Sequence, residues 1–276
     1  ERGIQKMWIL NVGDIKPAEY QVELFLDMAW NLEAVKQQGV AAHQRHFLER
    51  EFGKNRADRL QPVMQEAYRL AYIRKPEFMG NTRTEEKDPK FKVISDLPWS
   101  EQEINERLAA YRQLSDKVEQ EWHALPAQKK ETYFQLVKYP VQAAAQMNNK
   151  LLTAQLARHG KADWADSDRA YDSIVSLTKT YNTTKWNRMM DFQPRRLLVF
   201  NRVERKALSS GLLEKPQAVY TWNGADCVEG ASVICEGLGY EGKAVAVEKK
   251  KELTFEFAAW ETDSVEVEVR LLPNHP

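Results

Sequence analysis

The sequence predicts an α+β multidomain chain: mainly an α-helical bundle, followed by a small antiparallel β-sandwich-like domain, with one orphan β/α-barrel strand at the N-terminus. Three observations predict it. The run Met7–Val12 has Asn11 as its one polar residue, and a Gly13-Asp14 turn and Pro17 follow. From Pro17 to about Tyr181 apolar residues recur with the period of a helix. Beyond Pro194 the apolar period falls to two. These changes of period place boundaries at 1–16 (strand and loop of a truncated β/α barrel), 17–193 (bundle) and 194–276 (β-domain).

The N-terminal run reads as a strand buried on both faces, the habit of parallel sheets. Gly13-Asp14 is turn chemistry, and Pro17 suits the first turn of a helix because its missing N–H needs no partner there. Val22, Phe25, Leu26 and Ala29 form the stripe of that helix. No second β-α unit follows, so the strand reads as an orphan and the chain as a piece cut inside a β/α domain. The absent initiator Met and the end at Pro276 agree with that expectation.

The helical stretch has readable punctuation. A helix over 39–52 ends at Gly53, and one over 55–74 carries Leu60, Val63, Met64, Ala67, Leu70 and Ala71, with Asn55 as its cap and Pro76 as its stop. Residues 77–98 form a long connection. Ser100 and Glu103 make a capping box, which starts a helix with a seam of Ile104, Leu108, Tyr111, Ser115, Val118 and Trp122. Pro140 predicts a kink or break near Tyr139 within 126–159, and Gly160 closes that pattern. A last helix covers about 164–181. In the β-domain, Phe255 and Phe257 alternate with Glu256, and Val265, Val267 and Val269 alternate with Glu266 and Glu268.

Composition excludes some functions. Lys+Arg and Asp+Glu are 40 each, so no net charge drives binding to nucleic acid or a membrane surface. No apolar run approaches the ~20 residues of a membrane span. Cys227 and Cys235 read either as two small buried thiols or as a disulfide. His43 and His46 share a helix face without a third ligand nearby, so no metal site and no cofactor is assigned. No pair of carboxylates stands out by spacing, so no residue is assigned as catalytic.

The candidate site is the loop after the first strand, because barrel enzymes bind ligands at such loops. Asn11 is placed to donate to a ligand hydroxyl. Asp14 is either a site residue or a turn and cap residue. Lys16 either attracts a ligand carboxylate or pairs with Asp14.

Trp8–Pro17 and Phe25–Asn31 resemble the end of the catalytic barrel in glycoside hydrolase family 115, the xylan α-glucuronidases. Phe52-Gly53, Arg74–Glu77, Leu136–Pro140, Tyr181-Asn182, Lys185–Met190 and Leu271–Pro276 follow in the family's order. The resemblance implies an α-1,2-glucuronidase fragment that removes (4-O-methyl-)glucuronic acid from glucuronoxylan. It also implies that the Asn11–Lys16 loop lines the glucuronic-acid pocket and that the acid and base lie upstream. A homodimer through the bundle, with Trp99 and Trp164 as exposed-seam candidates, and a periplasmic or extracellular setting belong to the same implication. The competing reading is a non-catalytic helical scaffold with a carbohydrate- or protein-binding β-module.

Overall fold

In the computed structural model, the described residues are 6–12, 16–80, 94–97, 99–192, 197–205, 234–236 and 243–245. They form eight α-helices: α1 (Glu19–Trp30), α2 (Leu32–Gln38), α3 (Val40–Phe52), α4 (Lys54–Ile73), α5 (Glu101–His123), α6 (Ala127–Tyr133), α7 (Tyr139–Arg158) and α8 (Trp164–Tyr181). One antiparallel pair of three-residue strands, β1 (Ile234–Glu236) and β2 (Lys243–Val245), follows with Cys235 opposite Ala244.

The helices begin and end where local chemistry dictates. Ser100 accepts from the Glu103 amide (3.3 Å) while the Glu103 carboxylate accepts from the Ser100 amide (2.9 Å), so two orphan donors at the start of α5 are satisfied reciprocally. Gly160 takes φ +72°, and the amides of Gly160 and Lys161 turn back onto Ala157 and Leu156, closing α7. Gly53 serves twice, as the end of α3 and the start of α4, so Asn55 is not the cap.

Pro140 does not break the chain. It lacks the N–H that would bond Leu136, and its ring would press on that carbonyl. The chain answers with one π turn, Phe134–Lys138, in which the Tyr139 amide reaches back to the Phe134 carbonyl, and α7 then runs on.

Two apolar clusters hold the helices. One joins α3, α4, α5, the α6–π segment and the start of α7 around Leu60, Tyr111, Val118, Tyr133 and Val137. The other joins the start of α5, the far half of α7 and α8 with Met79, Leu97, Val199 and Val203. Helix α7 takes part in both and buries residues all round, the mark of a central helix. Trp99 and Trp164 pack against the second cluster and so do not form an exposed seam.

The predicted α+β class with a β-sandwich is corrected. Among the described residues the protein is helical, and its β-structure is one short hairpin. Two strands of three residues cannot bury a face. The strands expected over 253–257 and 265–271, and Cys227, lie outside the described residues. The expected orphan strand is corrected too. Residues 7–12 have no regular secondary structure, and Met7 and Ile9 are 71% and 83% exposed. A strand needs a ladder partner for its N–H and C=O groups, and among the described residues none pairs with this run. Trp8 folds back onto Phe25 of α1, with ring centroids 5.7 Å apart.

Candidate functional site

Lys16 is where the structure gathers distant parts of the sequence. It lies just before α1, and its ammonium pairs with Glu19 one turn on. The same ammonium sits 4.2 Å from the centre of the Trp186 ring, and the Lys16 side chain is only 12% exposed. A cation with so little water gains from the negative face of an indole. Glu19 in turn accepts a hydrogen bond from Gln135, in the π turn. Three segments therefore meet: 16–19, the π turn and the loop carrying Trp186.

That loop is held rigidly. The Asn182 side chain donates to the Met190 carbonyl (2.8 Å) and accepts from the Met190 amide (3.0 Å), so it closes residues 182–190 as a backbone pair would. Within the loop Arg188 takes φ +61°, the left-handed region that side chains other than glycine rarely adopt. Below it, Tyr181 lies 4.8 Å from Tyr139 and 6.1 Å from Phe134, ring centre to ring centre. Burial pushes the Tyr181 phenol well above its ordinary range, and the nearby Glu19 charge adds to this. The Tyr139 phenol is raised by burial and meets Thr178 at 3.3 Å.

Three buried polar atoms here have no hydrogen-bond partner among the described residues: Glu19 Oε2, the Tyr181 hydroxyl and Trp186 Nε1. Unsatisfied polar atoms are rare in protein interiors and cost about 1–3 kcal/mol each. Others lie elsewhere, on His43, Arg56 and Tyr111.

The sequence-predicted residues fare unequally. Lys16 belongs to the cluster. Asn11 is exposed. Asp14 lies outside the described residues. Lys16 pairs with Glu19, a partner the sequence reading did not name. Glu19, Gln135, Tyr181 and Trp186 were missed as site residues, although Tyr181 and Trp186 stand in the motifs that carry the family resemblance.

A second polar cluster lies further along α1. Ligand atoms of Glu23, Asp27 and His43 fall within 4.8 Å of one another. Arg50 grips both Glu23 oxygens (2.9 and 2.7 Å), and His43 Nε2 meets Asp27 at 2.9 Å, so the acidic charge there is already met by protein cations and ring nitrogen. Near the start of α4 a cavity of about 460 Å³ is lined by Lys54, Arg56 and Arg59, two of which engage Glu121. No helix among the described residues is long and apolar enough to cross a membrane.

Comparison with known proteins gives a family match and matches among solved structures. Residues 1–78 match the family model of glycosyl hydrolase family 115. A solved structure, described as a novel family GH115 4-O-methyl-α-glucuronidase, BtGH115A, with specificity for decorated arabinogalactans, is 62% identical. The match covers 95% of this chain and 35% of that one, with a TM-score of 0.84, so the chain spans about a third of that relative's length. No curated protein matches.

Proposed function

Because this chain belongs to glycosyl hydrolase family 115, we propose that it forms part of an α-glucuronidase that releases terminal 4-O-methylglucuronic acid from a decorated plant polysaccharide. The observation that carries the reading is 62% identity over 95% of the chain to a 4-O-methyl-α-glucuronidase. Glycoside hydrolysis needs two carboxylates flanking the bond. The proposal assigns that pair to the part of the relative's length that this chain does not span. The residues of this chain assigned to the glucuronosyl unit are Asn11, Asp14 and Lys16. Supporting this, Asn11 and Lys16 both lie in the stretch matched by the family.

By likeness to the relative the polymer is a decorated arabinogalactan, and by the family resemblance it is glucuronoxylan. An extracellular or periplasmic setting and a homodimer through the helical bundle belong to the same reading and rest on the family resemblance alone.

The test is release of 4-O-methylglucuronic acid by the full-length protein from both polymers. Release from neither would remove the reading. In the active protein Asn11→Ala should lower kcat/KM by roughly ten- to several-hundred-fold, about 1.5–3 kcal/mol, with little change in Tm. A lowered Tm with unchanged kinetics would make Asn11 a structural amide.

A further inference from the structure

We infer that the outward face of α1 is an interaction surface, covered in the full-length protein by an apolar face of the part of the molecule that this chain does not span. Helix α1 carries apolar residues on two opposite sides. On one side Tyr20 and Leu24 pack into the first core cluster, with the Tyr20 ring edge-on to Phe47 of α3 at 5.3 Å. At ~100° per residue, the stripe Val22, Phe25, Leu26, Ala29 and Trp30 is centred about 180° away from that pair. The stripe that the sequence marks as the burying face of this helix is therefore turned away from the bundle. Leu26 is 57% exposed and Trp30 92%. Ala29 is exposed as well. Trp8 lies against Phe25, and its neighbours Met7 and Ile9 are exposed too.

A helix on the surface of a folded protein keeps polar residues on its outer side. Here apolar residues stand there at i, i+3, i+4, i+7 and i+8, the spacing of a face made for burial. A contiguous apolar patch of this kind marks a contact surface. Two observations choose what covers it. The match to the solved relative covers 35% of that chain, so most of a full-length protein of that size lies outside this chain. The face itself is small. A helix of 12 residues is ~18 Å long, and a strip ~10 Å wide along it falls well short of the ~800 Å² that each partner gives to a stable dimer. A second copy docked on α1 lacks the area to hold on. A surface of the same polypeptide needs less, because linkage supplies a high effective concentration. The occupant presents apolar side chains to Phe25, Leu26 and Trp30, since an unpaired charge buried there would be costly. This surface is independent of the glucuronidase reading.

The experiment uses the full-length protein and two readouts. Hydroxyl-radical footprinting of the unaltered protein should oxidise Trp30 at least about tenfold more slowly in the native than in the unfolded state, because the ring is reached only through local opening. Photo-cross-linking from Trp30→p-benzoylphenylalanine, with Leu26→p-benzoylphenylalanine as a second position should the first not fold, should join α1 to a peptide outside residues 1–276 of the same chain. The product then runs as a monomer on a denaturing gel. Rapid oxidation of Trp30 in the native protein would show an open face and overturn the inference. A cross-linked dimer would assign the face to a second copy and overturn it too, as would cross-links confined to residues 1–276 or none from either position. Release of glucuronic acid enters neither readout, so failure of the glucuronidase reading leaves this result standing.

Discussion

Asp96→Ala should destabilise the chain by about 3–5 kcal/mol, an effect usually reserved for large core truncations. Asp96 stands at the return of the long connection, next to Leu97 of the second core cluster. Its carboxylate accepts from Arg158 at the end of α7 through both Nε (2.9 Å) and Nη2, and its other oxygen meets His159 Nε2 at 3.0 Å. The Asp96 and Arg158 side chains are 6% and 5% exposed. Removing the acid leaves a guanidinium buried with no counter-charge, and that desolvation cost is the source of the effect. Gln155, one turn earlier on α7, both donates to the Leu97 carbonyl (2.8 Å) and accepts from its amide (3.0 Å), so the segment is pinned twice. The chemistry gives a check internal to the experiment. Asp96→Leu combined with Arg158→Met removes both charges and should cost less than Asp96→Ala, because no orphan charge remains. In thermal unfolding the single variant should fall by roughly 10 °C. A shift of one or two degrees would mean that water reaches Arg158 and the pair acts as a surface bridge.

Much of the helical organisation was legible because it depends on neighbours in sequence. The Ser100–Glu103 box, the glycine stops at 53 and 160 and the helix over Trp164–Tyr181 are decided within one turn of the residues concerned. Pro140 marks the intermediate case. Its conflict with Leu136 is local, but the sequence does not say whether a kink, a break or a π turn resolves it; packing on both sides of α7 selects the π turn, which keeps the axis continuous. The run Met7–Val12 shows the opposite limit. Apolar residues in succession report a wish for burial, and a strand exists only if a partner is present to pair with it. The contact between Lys16 and Trp186 was illegible for the same reason on a longer scale. Nothing local to Lys16 names Trp186; the sequence offers a uronic carboxylate or Asp14 as its partner instead. Buried Arg107 was missed likewise: it lies on the inner face of α5, donates to Asn148 (2.7 Å) and the Arg74 carbonyl (2.8 Å), and rests against Trp99 and Tyr111.

The stability of the chain should rise between about pH 7 and pH 10 through one residue, Lys150, and Lys150→Met should abolish that rise. Lys150 is fully buried on α7. Its ammonium nitrogen donates to the carbonyls of Val199 (2.6 Å) and Asn201 (2.8 Å), tying the segment after α8 to the central helix, and the Tyr171 ring centre lies 5.9 Å away. Burial lowers its pKa from 10.5 to about 7. The sign follows from the protons bound. Below about pH 7 the lysine is charged in both folded and unfolded chains, and the folded chain bears the full cost of a buried charge. Between the folded and unfolded values the unfolded chain holds a proton that the folded chain has released, so stability increases with pH, by up to about 1.4 kcal/mol per unit. Above about 10.5 the lysine is neutral in both and the gain is complete. Methionine fills similar volume and carries no proton, so the difference between the two proteins isolates this residue from every other titrating group. Urea unfolding at pH 7, 8 and 9 should show the unaltered chain gaining on the variant at each step. The variant also leaves two carbonyls without a donor, which sets a constant offset of roughly 1–3 kcal/mol per group but no slope. A difference that stays level from pH 7 to 9 would show that the Val199 and Asn201 carbonyls hold Lys150 in its charged form throughout, and that the 197–205 segment is fastened by a buried cation rather than by a neutral amine.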